Sequence, residues 1–174
     1  MLKFLFPDHC FDSITQIHCD WLREQRIYSM LLDVDCTLKN YRSETLLPEI
    51  AGWLGRKREQ GFQFFLLSNG RRHRIEHLAK ELDLPFLAPA YKPFPSGCRR
   101  AMKILYVDPR FTALIGDQVF TDVMAANLAG IRSILVKPLS PQEEPLFARV
   151  KRPFERIVLN YYNKTLLQQD SCES

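Results

Sequence analysis

Short, mostly apolar runs alternate with amphipathic stretches along the chain. The apolar runs are four to six residues long and predict strands buried on both faces, at residues 28–32, 62–67, 85–88, 111–115 and 131–136. Between them, apolar residues at helical spacing predict helices over residues 47–60, 72–83, 95–105 and 119–129, after a shorter amphipathic segment at 19–26. Strands that alternate with helices are typical of an α/β fold with a parallel sheet.

Two carboxylates, Asp33 and Asp35, directly follow the first of these strands. Catalytic groups of open α/β sheets lie where strands run out into loops. Carboxylates two positions apart on an extended backbone point to the same side, so one can attack phosphorus while the other protonates the departing oxygen. Asp33 is the predicted nucleophile and Asp35 the predicted acid and base. The pair alone is also compatible with a metal-binding or solvated loop.

Three later segments supply what phosphoryl transfer would still need, and each follows an apolar run. The hydroxyl and loop amides of Ser68, Asn69 and Gly70 can hold a phosphoryl oxygen. Lys92 can neutralise charge on the nucleophile and the phosphate. A further strand ends in a glycine and Asp117, with another carboxylate five positions on.

A carboxylate nucleophile and a dianionic phosphate repel each other, so the site needs a cation. Oxygen ligands without a cluster of histidines or cysteines favour Mg²⁺ over Zn²⁺. Asp33 and Asp117 are the predicted side-chain ligands, and the backbone carbonyl of Asp35 is a third. Asp122 is also predicted to be a metal ligand. Two other roles stay open for it: contact with the metal through a water molecule, or orientation of Lys92.

The four segments DVDCTL, SNG, KP and GDQVFTD resemble, in order and spacing, the four motifs of the haloacid dehalogenase-like phosphatases. The chain is most similar to their capless subfamily IIIA and its YqeG-type branch, because the likeness extends to residues 2–8 and 154–156. The resemblance implies the same roles for Asp33, Asp35, Lys92 and Asp117. The predicted substrate contacts are Thr37, Ser68, Asn69, Gly70 and Arg74. Cys36 is a departure, because relatives commonly carry Asn or Gly there.

The resemblance and the right-handed crossovers of parallel strands imply a Rossmann-like three-layer sandwich. Its five-stranded parallel sheet would have the order 3-2-1-4-5, within one domain over residues 1–174 whose core covers about 27–137. An N-terminal extension and a basic amphipathic C-terminal tail flank this core. About 29 residues separate Leu38 from Ser68 and about 23 separate Ser68 from Lys92, too few for an inserted cap domain. An open site suits a phosphate carried on a large molecule.

Charge and composition narrow the choice of partner and compartment. The net charge of +4 and the pI near 8.8 favour an anionic partner, and the five scattered cysteines favour a reducing, cytoplasmic compartment. No run reaches the roughly 18 apolar residues of a membrane span. The basic amphipathic tail predicts either packing on the domain or peripheral contact with an anionic membrane at its inner face.

The YqeG-type branch is similar to phosphatidylglycerophosphate phosphatases, so the resemblance implies a phospholipid substrate. Two alternatives remain at this point. One is a phosphatase of a nucleic acid end or phosphoprotein, with Tyr41, Tyr91 and Phe94 as stacking residues, although no stable nucleic-acid partner is expected. The other is a non-enzymatic adaptor that kept the fold.

Overall fold

The computed structural model describes residues 3–143 and 146–170. These residues form one parallel sheet with helices on both faces. The strands are β1 His9–Phe11, β2 Ser29–Leu32, β3 Gln63–Leu67, β4 Phe86–Leu87, β5 Thr112–Gly116 and β6 Arg132–Val136. The helices are α1 Cys19–Glu24, α2 Pro48–Glu59, α3 Arg72–Leu82, α4 Ser96–Leu105, α5 Met124–Ala129 and α6 Leu146–Asp170.

The sheet order is β1-β6-β5-β2-β3-β4, which confirms the predicted class and the relative order of the five predicted strands. The predicted strand count is wrong, because β1 adds a sixth strand at the edge. It pairs in parallel with β6, with Cys10 opposite Leu135. The three residues of β1 form no apolar run and show no alternation that would predict a strand. The segment is a strand because it pairs with β6.

Alternate residues of the central strands enter two separate cores. Phe64 and Leu66 of β3 pack in the cluster that contains Trp53 of α2 and the buried face of α3. Phe65 and Leu67 pack on the other side, against α4 and α5. The molecule therefore has three layers, with strands that are apolar on both faces, as the continuous runs predicted. No second domain covers the carboxyl ends of the strands within residues 3–143 and 146–170.

The predicted helix over residues 119–129 is divided in two. A π-helical turn, Val119–Val123, precedes α5, and Gly130 ends α5 with φ +76°. In this turn the Asp122 side chain lies against Gly116, where a Cβ atom would come within 2.6 Å of the Asp122 Cβ. The wider turn and the glycine together let a carboxylate lie next to the end of β5, and π-turns of this kind are frequent at functional sites.

The C-terminal tail is the helix α6, and one side of it packs on the domain. Val158 and Leu159 contact the small core around Leu5 and Val119, and the ring of Phe6 lies 5.4 Å from that of Tyr162. Another side exposes an apolar stripe, composed of Val150, Phe154, Ile157 and Tyr161. Among the described residues, none of the helices combines the length and the apolar content that a membrane span requires.

Candidate active site

The sheet order brings the predicted site residues to one edge of the molecule. β2 lies between β3 and β5, so the segments that begin at Asp33, Ser68 and Asp117 leave three adjacent strands side by side. The Asp33 amide donates to the carbonyl of Ile115 at 2.9 Å, which joins two of these segments just beyond their strands. This arrangement places the candidate chemistry at the carboxyl edge, as expected for an open α/β sheet.

Lys92 connects two of the carboxylates. Its Nζ donates to Asp33 Oδ1 and to Asp122 Oδ1, both at 2.6 Å, and its side chain is 1% exposed. Burial alone would lower the pKa of Lys92, but the carboxylates of Asp122 and Asp33 outweigh it and raise the pKa above its ordinary value. Lys92 is therefore a permanent cation inside the site.

Asn69 holds Lys92 in place. The Lys92 amide donates to Asn69 Oδ1, and Asn69 Nδ2 donates to the Lys92 carbonyl, each at 2.8 Å. The side chain of Asn69, predicted to contact substrate, thus has both of its polar atoms bonded to the backbone of the catalytic-lysine candidate.

Asp33, Asp117 and Asp122 form a buried acidic cluster. Each has a carboxylate oxygen within 4.8 Å of an oxygen of the other two. Burial raises the pKa of Asp33 to about 7, and the neighbouring charge of Asp122 adds to this, while Lys92 opposes it. Burial also raises the pKa of Asp117 well above its usual range. Three buried oxygen ligands whose negative charges are unfavourable on their own fit a hard divalent cation.

Asp35 belongs to a different group of charges. Its Oδ1 accepts from Lys39 Nζ at 3.0 Å and from Arg74 Nη2. Lys39 is itself buried and also donates to the carbonyl of Ser43 at 2.6 Å. The Asp35 carboxylate is not part of the acidic cluster, so the metal contact predicted for this residue remains a prediction for its backbone carbonyl alone.

The predicted phosphate contacts surround a cleft of about 580 Å³. Ser68 Oγ accepts from the amide of Gly70 at 3.0 Å, and Arg74 Nε is buried without a hydrogen-bond partner in the part of the chain that the structure describes. A guanidinium and a serine hydroxyl that line the same cleft suit an anionic ligand. The cleft is lined by Asp33, Asp35, Cys36, Tyr41, Ser68, Asn69, Gly70, Arg71, His73, Arg74, Lys92, Pro93, Gln118, Thr121 and Lys151.

Thr37, also predicted to contact substrate, does not line the cleft. It is buried, and its hydroxyl lies 3.4 Å from Asp117 Oδ1. The structure thus places it beside a carboxylate of the acidic cluster.

Cys36 has a left-handed backbone, with φ +66°. Its amide donates to the Lys39 carbonyl at 2.8 Å, which closes the tight loop that carries Asp35. Glycine and asparagine adopt this conformation at lower cost than other residues. The Asn or Gly that relatives commonly carry at this position therefore fits the left-handed backbone.

Two residues of α6 belong to the site and were not among the predicted set. Arg152 donates through Nη2 to Asp117 Oδ2 and through Nη1 to the Asp117 carbonyl at 2.6 Å and to Glu155 Oε2 at 3.0 Å. The sequence signal for Arg152 is the run of basic residues in the tail, and Glu155 lies in the segment 154–156 that carries part of the family likeness, but neither signal indicates a contact with Asp117. A contact between residues 35 positions apart has no local pattern.

Comparisons with known proteins agree with this geometry. A family model described as haloacid dehalogenase-like hydrolase matches residues 14–130. The chain is 28% identical over 158 residues to "Probable phosphatase YqeG" of Bacillus subtilis, which covers 91% of each chain. It is 31% identical over 117 residues to the phosphoserine phosphatase of Thermus thermophilus, which covers 60% of this chain and 47% of that protein.

Solved structures share the fold at low identity. The cobalt-bound deoxy-D-mannose-octulosonate 8-phosphate phosphatase of Haemophilus influenzae matches with a TM-score of 0.54 at 17% identity, over 74% of this chain and 75% of that one. A hydrolase from Legionella pneumophila, described as HAD superfamily, subfamily III A, matches with a TM-score of 0.51 at 16% identity, over 84% of this chain and 90% of that one.

Proposed function

This chain belongs to the haloacid dehalogenase-like hydrolases and is a phosphatase, and from that premise we propose that it hydrolyses the phosphomonoester of a phospholipid with Mg²⁺ as cofactor. The observation that carries the proposal is an open cleft whose rim is both basic and apolar. Phosphatidylglycerophosphate is the substrate we would test first, because the YqeG-type branch is similar to phosphatases of that lipid.

The proposed reaction has two displacement steps. A carboxylate oxygen of Asp33 attacks phosphorus and forms an aspartyl-phosphate, while the bond to the alcohol oxygen breaks and that oxygen takes a proton from Asp35. Water then attacks the phosphorus and gives a proton to the Asp35 carboxylate, and the bond to Asp33 breaks to release inorganic phosphate. Ser68 and Arg74 would hold the phosphoryl oxygens, since they surround the cleft that Asp33 lines.

Asp33, Asp117 and Asp122 are the residues that would hold Mg²⁺. When bound, the ion would supply charge neutralisation between the nucleophile and the phosphate. The charges of the chain form two groups: the acidic cluster is bonded to Lys92, and Asp35 is paired with Lys39 and Arg74.

The shape and rim of the cleft favour a large, amphiphilic substrate. No segment of the described chain covers the cleft, so the part of a substrate beyond its phosphate can extend into solvent. Tyr91 and Phe94 flank the cleft residues Lys92 and Pro93, and each is 67% exposed. On α6, the apolar stripe defined above begins next to Lys151, which also lines the cleft.

A basic helix with an exposed apolar stripe beside the site is suited to an anionic bilayer. Val150, Phe154, Ile157 and Tyr161 recur at spacings of four, three and four residues, which places them on one face of α6. Arg149 and Arg156 are exposed on the same helix. Long cationic side chains beside an apolar face bind anionic lipid surfaces, so peripheral membrane contact through α6 is part of the proposal.

The alternative with a nucleic acid end has less structural support. Tyr41, one of its three stacking candidates, already faces the guanidinium of Arg74 at 5.5 Å from carbon to ring centroid. Tyr91 and Phe94 remain exposed and compatible with either substrate.

The decisive assay measures phosphate release with Mg²⁺ from phosphatidylglycerophosphate in mixed micelles. Phosphoserine, a phosphopeptide, a 3′-phosphorylated oligonucleotide and a small aryl phosphate are the comparison substrates, and Asp33→Asn is the blank. We expect kcat/KM for the lipid to exceed that for the others by at least tenfold. Equal rates on all five would refute the lipid assignment and leave the phosphatase chemistry intact.

Membrane contact has its own test with the inactive protein. Asp33→Asn protein is sedimented with vesicles of phosphatidylglycerol and phosphatidylcholine, with and without the added change Phe154→Asp. Tyr106→Asp is the matched control, because Tyr106 is exposed at the end of α4 that leads to the amino edge of the sheet, away from the cleft. We expect binding that needs the anionic lipid and is lost only in the Phe154 variant, and equal sedimentation of all three would contradict membrane contact.

A further inference from the structure

The helix α6 contributes to the active site itself through one buried contact. Arg152 lies at its start, and its guanidinium contacts both the carboxylate and the backbone carbonyl of Asp117. We infer that Arg152 is the positioning residue of the acidic cluster: it fixes Asp117 for cation binding and makes α6 part of the catalytic centre. This inference rests on the proposed metal site.

The guanidinium holds Asp117 in a defined orientation. Its two terminal nitrogens engage two different oxygens of Asp117, one on the side chain and one on the backbone, so both the rotamer and the loop are constrained together. Oδ1 is left to the hydroxyl of Thr37, at 3.4 Å. Asp117 therefore presents one carboxylate oxygen that the guanidinium does not use, which is the arrangement of a carboxylate ligand held by an outer partner.

Glu155 supports Arg152 one turn further along α6. Its Oε2 accepts from Arg152 Nη1 at 3.0 Å, and its Oε1 accepts from the amide of Phe120 at 3.3 Å. Phe120 lies in the π-helical turn that carries Asp122. The Arg152–Glu155 pair is thus bonded to Asp117 directly and to the turn that carries Asp122 through its backbone.

The charges agree with a positioning role. Asp33, Asp117, Asp122 and Glu155 supply four carboxylates, against which Lys92 and Arg152 supply two cations. When these groups are ionised, the carboxylates outnumber the cations, and a divalent cation would offset the remaining negative charge. Arg152 and the metal ion would therefore be present together, with the guanidinium on Oδ2 of Asp117.

Direct metal binding without substrate is the first test. The dissociation constant of Mn²⁺ is measured from the electron paramagnetic resonance signal of the free ion, for wild type and for Arg152→Gln, Arg152→Lys and Glu155→Gln. Arg156→Gln is the control, because Arg156 is an exposed arginine on the same helix. Loss of an outer-shell partner typically weakens metal affinity by about 10- to 100-fold, and we expect this for Arg152→Gln. Lysine keeps the positive charge but cannot span two oxygens as a guanidinium does. The Mn²⁺ affinity of Arg152→Lys should therefore lie between those of wild type and Arg152→Gln.

Backbone hydrogen exchange in EDTA gives a second readout that needs no metal. In Arg152→Gln, amides of α6 within residues 149–162 should exchange roughly tenfold faster than in wild type, since the helix loses its buried anchor, while Arg156→Gln should not change them. If Arg152→Gln does not fold, Arg152→Lys and Glu155→Gln carry both measurements.

The sign of the change in Mn²⁺ affinity distinguishes the outcomes. If Arg152 merely competed with the metal, its removal would tighten Mn²⁺ binding, and tighter or unchanged binding in Arg152→Gln overturns the inference. If wild type itself binds no Mn²⁺, the proposed metal site fails and the inference fails with it. If wild type binds Mn²⁺ and the variants bind it equally tightly, the inference about Arg152 is overturned and the proposed metal site stands.

Discussion

The nucleophile candidate Asp33 should make the metal-free protein less stable as the pH rises. Burial raises its pKa to about 7 in the folded protein, from an ordinary value of 3.8. Between these two values the folded state keeps a proton that the unfolded chain has lost. The unfolded state then binds fewer protons, so the free energy of unfolding falls as pH increases through this window.

The size of this effect follows from the pKa shift. A shift of roughly three pH units corresponds to about 4 kcal/mol, at 1.36 kcal/mol per unit. Asp33→Asn keeps the side-chain volume and has no proton to lose. Relative to wild type, the variant should therefore gain up to about 4 kcal/mol of stability between pH 4 and pH 8.

Urea unfolding in EDTA at several pH values measures this difference. Glu24→Gln, a change at an exposed carboxylate on α1 away from the acidic cluster, is the control, and its difference from wild type in free energy of unfolding should vary far less with pH. Saturating Mg²⁺ at pH 8 should stabilise wild type by about 2.7 kcal/mol when present at a hundred times its dissociation constant, and the Asn variant by less. If the difference in free energy of unfolding between Asp33→Asn and wild type does not vary with pH, the electrostatic account of the acidic cluster is refuted.

Substitutions at three positions test other parts of the site. Lys92→Met removes the cation from between two buried carboxylates and should lower kcat at saturating Mg²⁺ by about 10²- to 10³-fold, so kcat near that of wild type would exclude the role of Lys92. Cys36→Gly and Cys36→Ala both remove the buried Cys36 side chain, but only glycine relieves the left-handed backbone, so the free energy of unfolding in urea should be about 1 kcal/mol higher for Cys36→Gly than for Cys36→Ala, and the opposite order would contradict the strain. Gly70→Ala would place a Cβ atom 3.1 Å from Ser68 Oγ and 3.3 Å from Asp35 Oδ2, and should lower kcat/KM about tenfold with little change in Tm. Unaltered steady-state kinetics of the Gly70 variant would show that this space is not used by substrate.

The parts of the fold that sequence reasoning predicted have local signals. Strands buried on both faces are continuous apolar runs, and the carboxylates after them are adjacent in sequence to those runs. The central strand order and the placing of Asp33, Ser68, Lys92 and Asp117 at one edge followed from these features and the family's motifs, as did the lack of a cap domain within residues 3–143 and 146–170. The alternating pattern failed at β1, where three residues become a strand only because β6 offers an edge.

The residues that sequence reasoning missed act through long-range contacts. Arg152 meets Asp117 only after α6 docks on the domain, and no spacing rule relates the two positions. Lys39 is four residues from Asp35, but a lysine in a loop is ordinarily exposed, and its burial depends on the fold of that loop. Asn69 shows the same limit, since both polar atoms of its side chain bond to the backbone of Lys92, 23 residues away, which no local pattern indicates.

The pairing of β1 with β6 also governs the order in which the chain can fold during synthesis. His9 opposes Ile134, so β1 has no partner until 125 further residues have been made. The central strands, by contrast, acquire neighbours much sooner, because β2 and β3 are close in sequence. Assembly from the centre outward follows, with the N-terminal strand joining last. A ribosome paused before β6 would therefore carry a nascent chain in which the β1 segment remains open to proteases and chaperones.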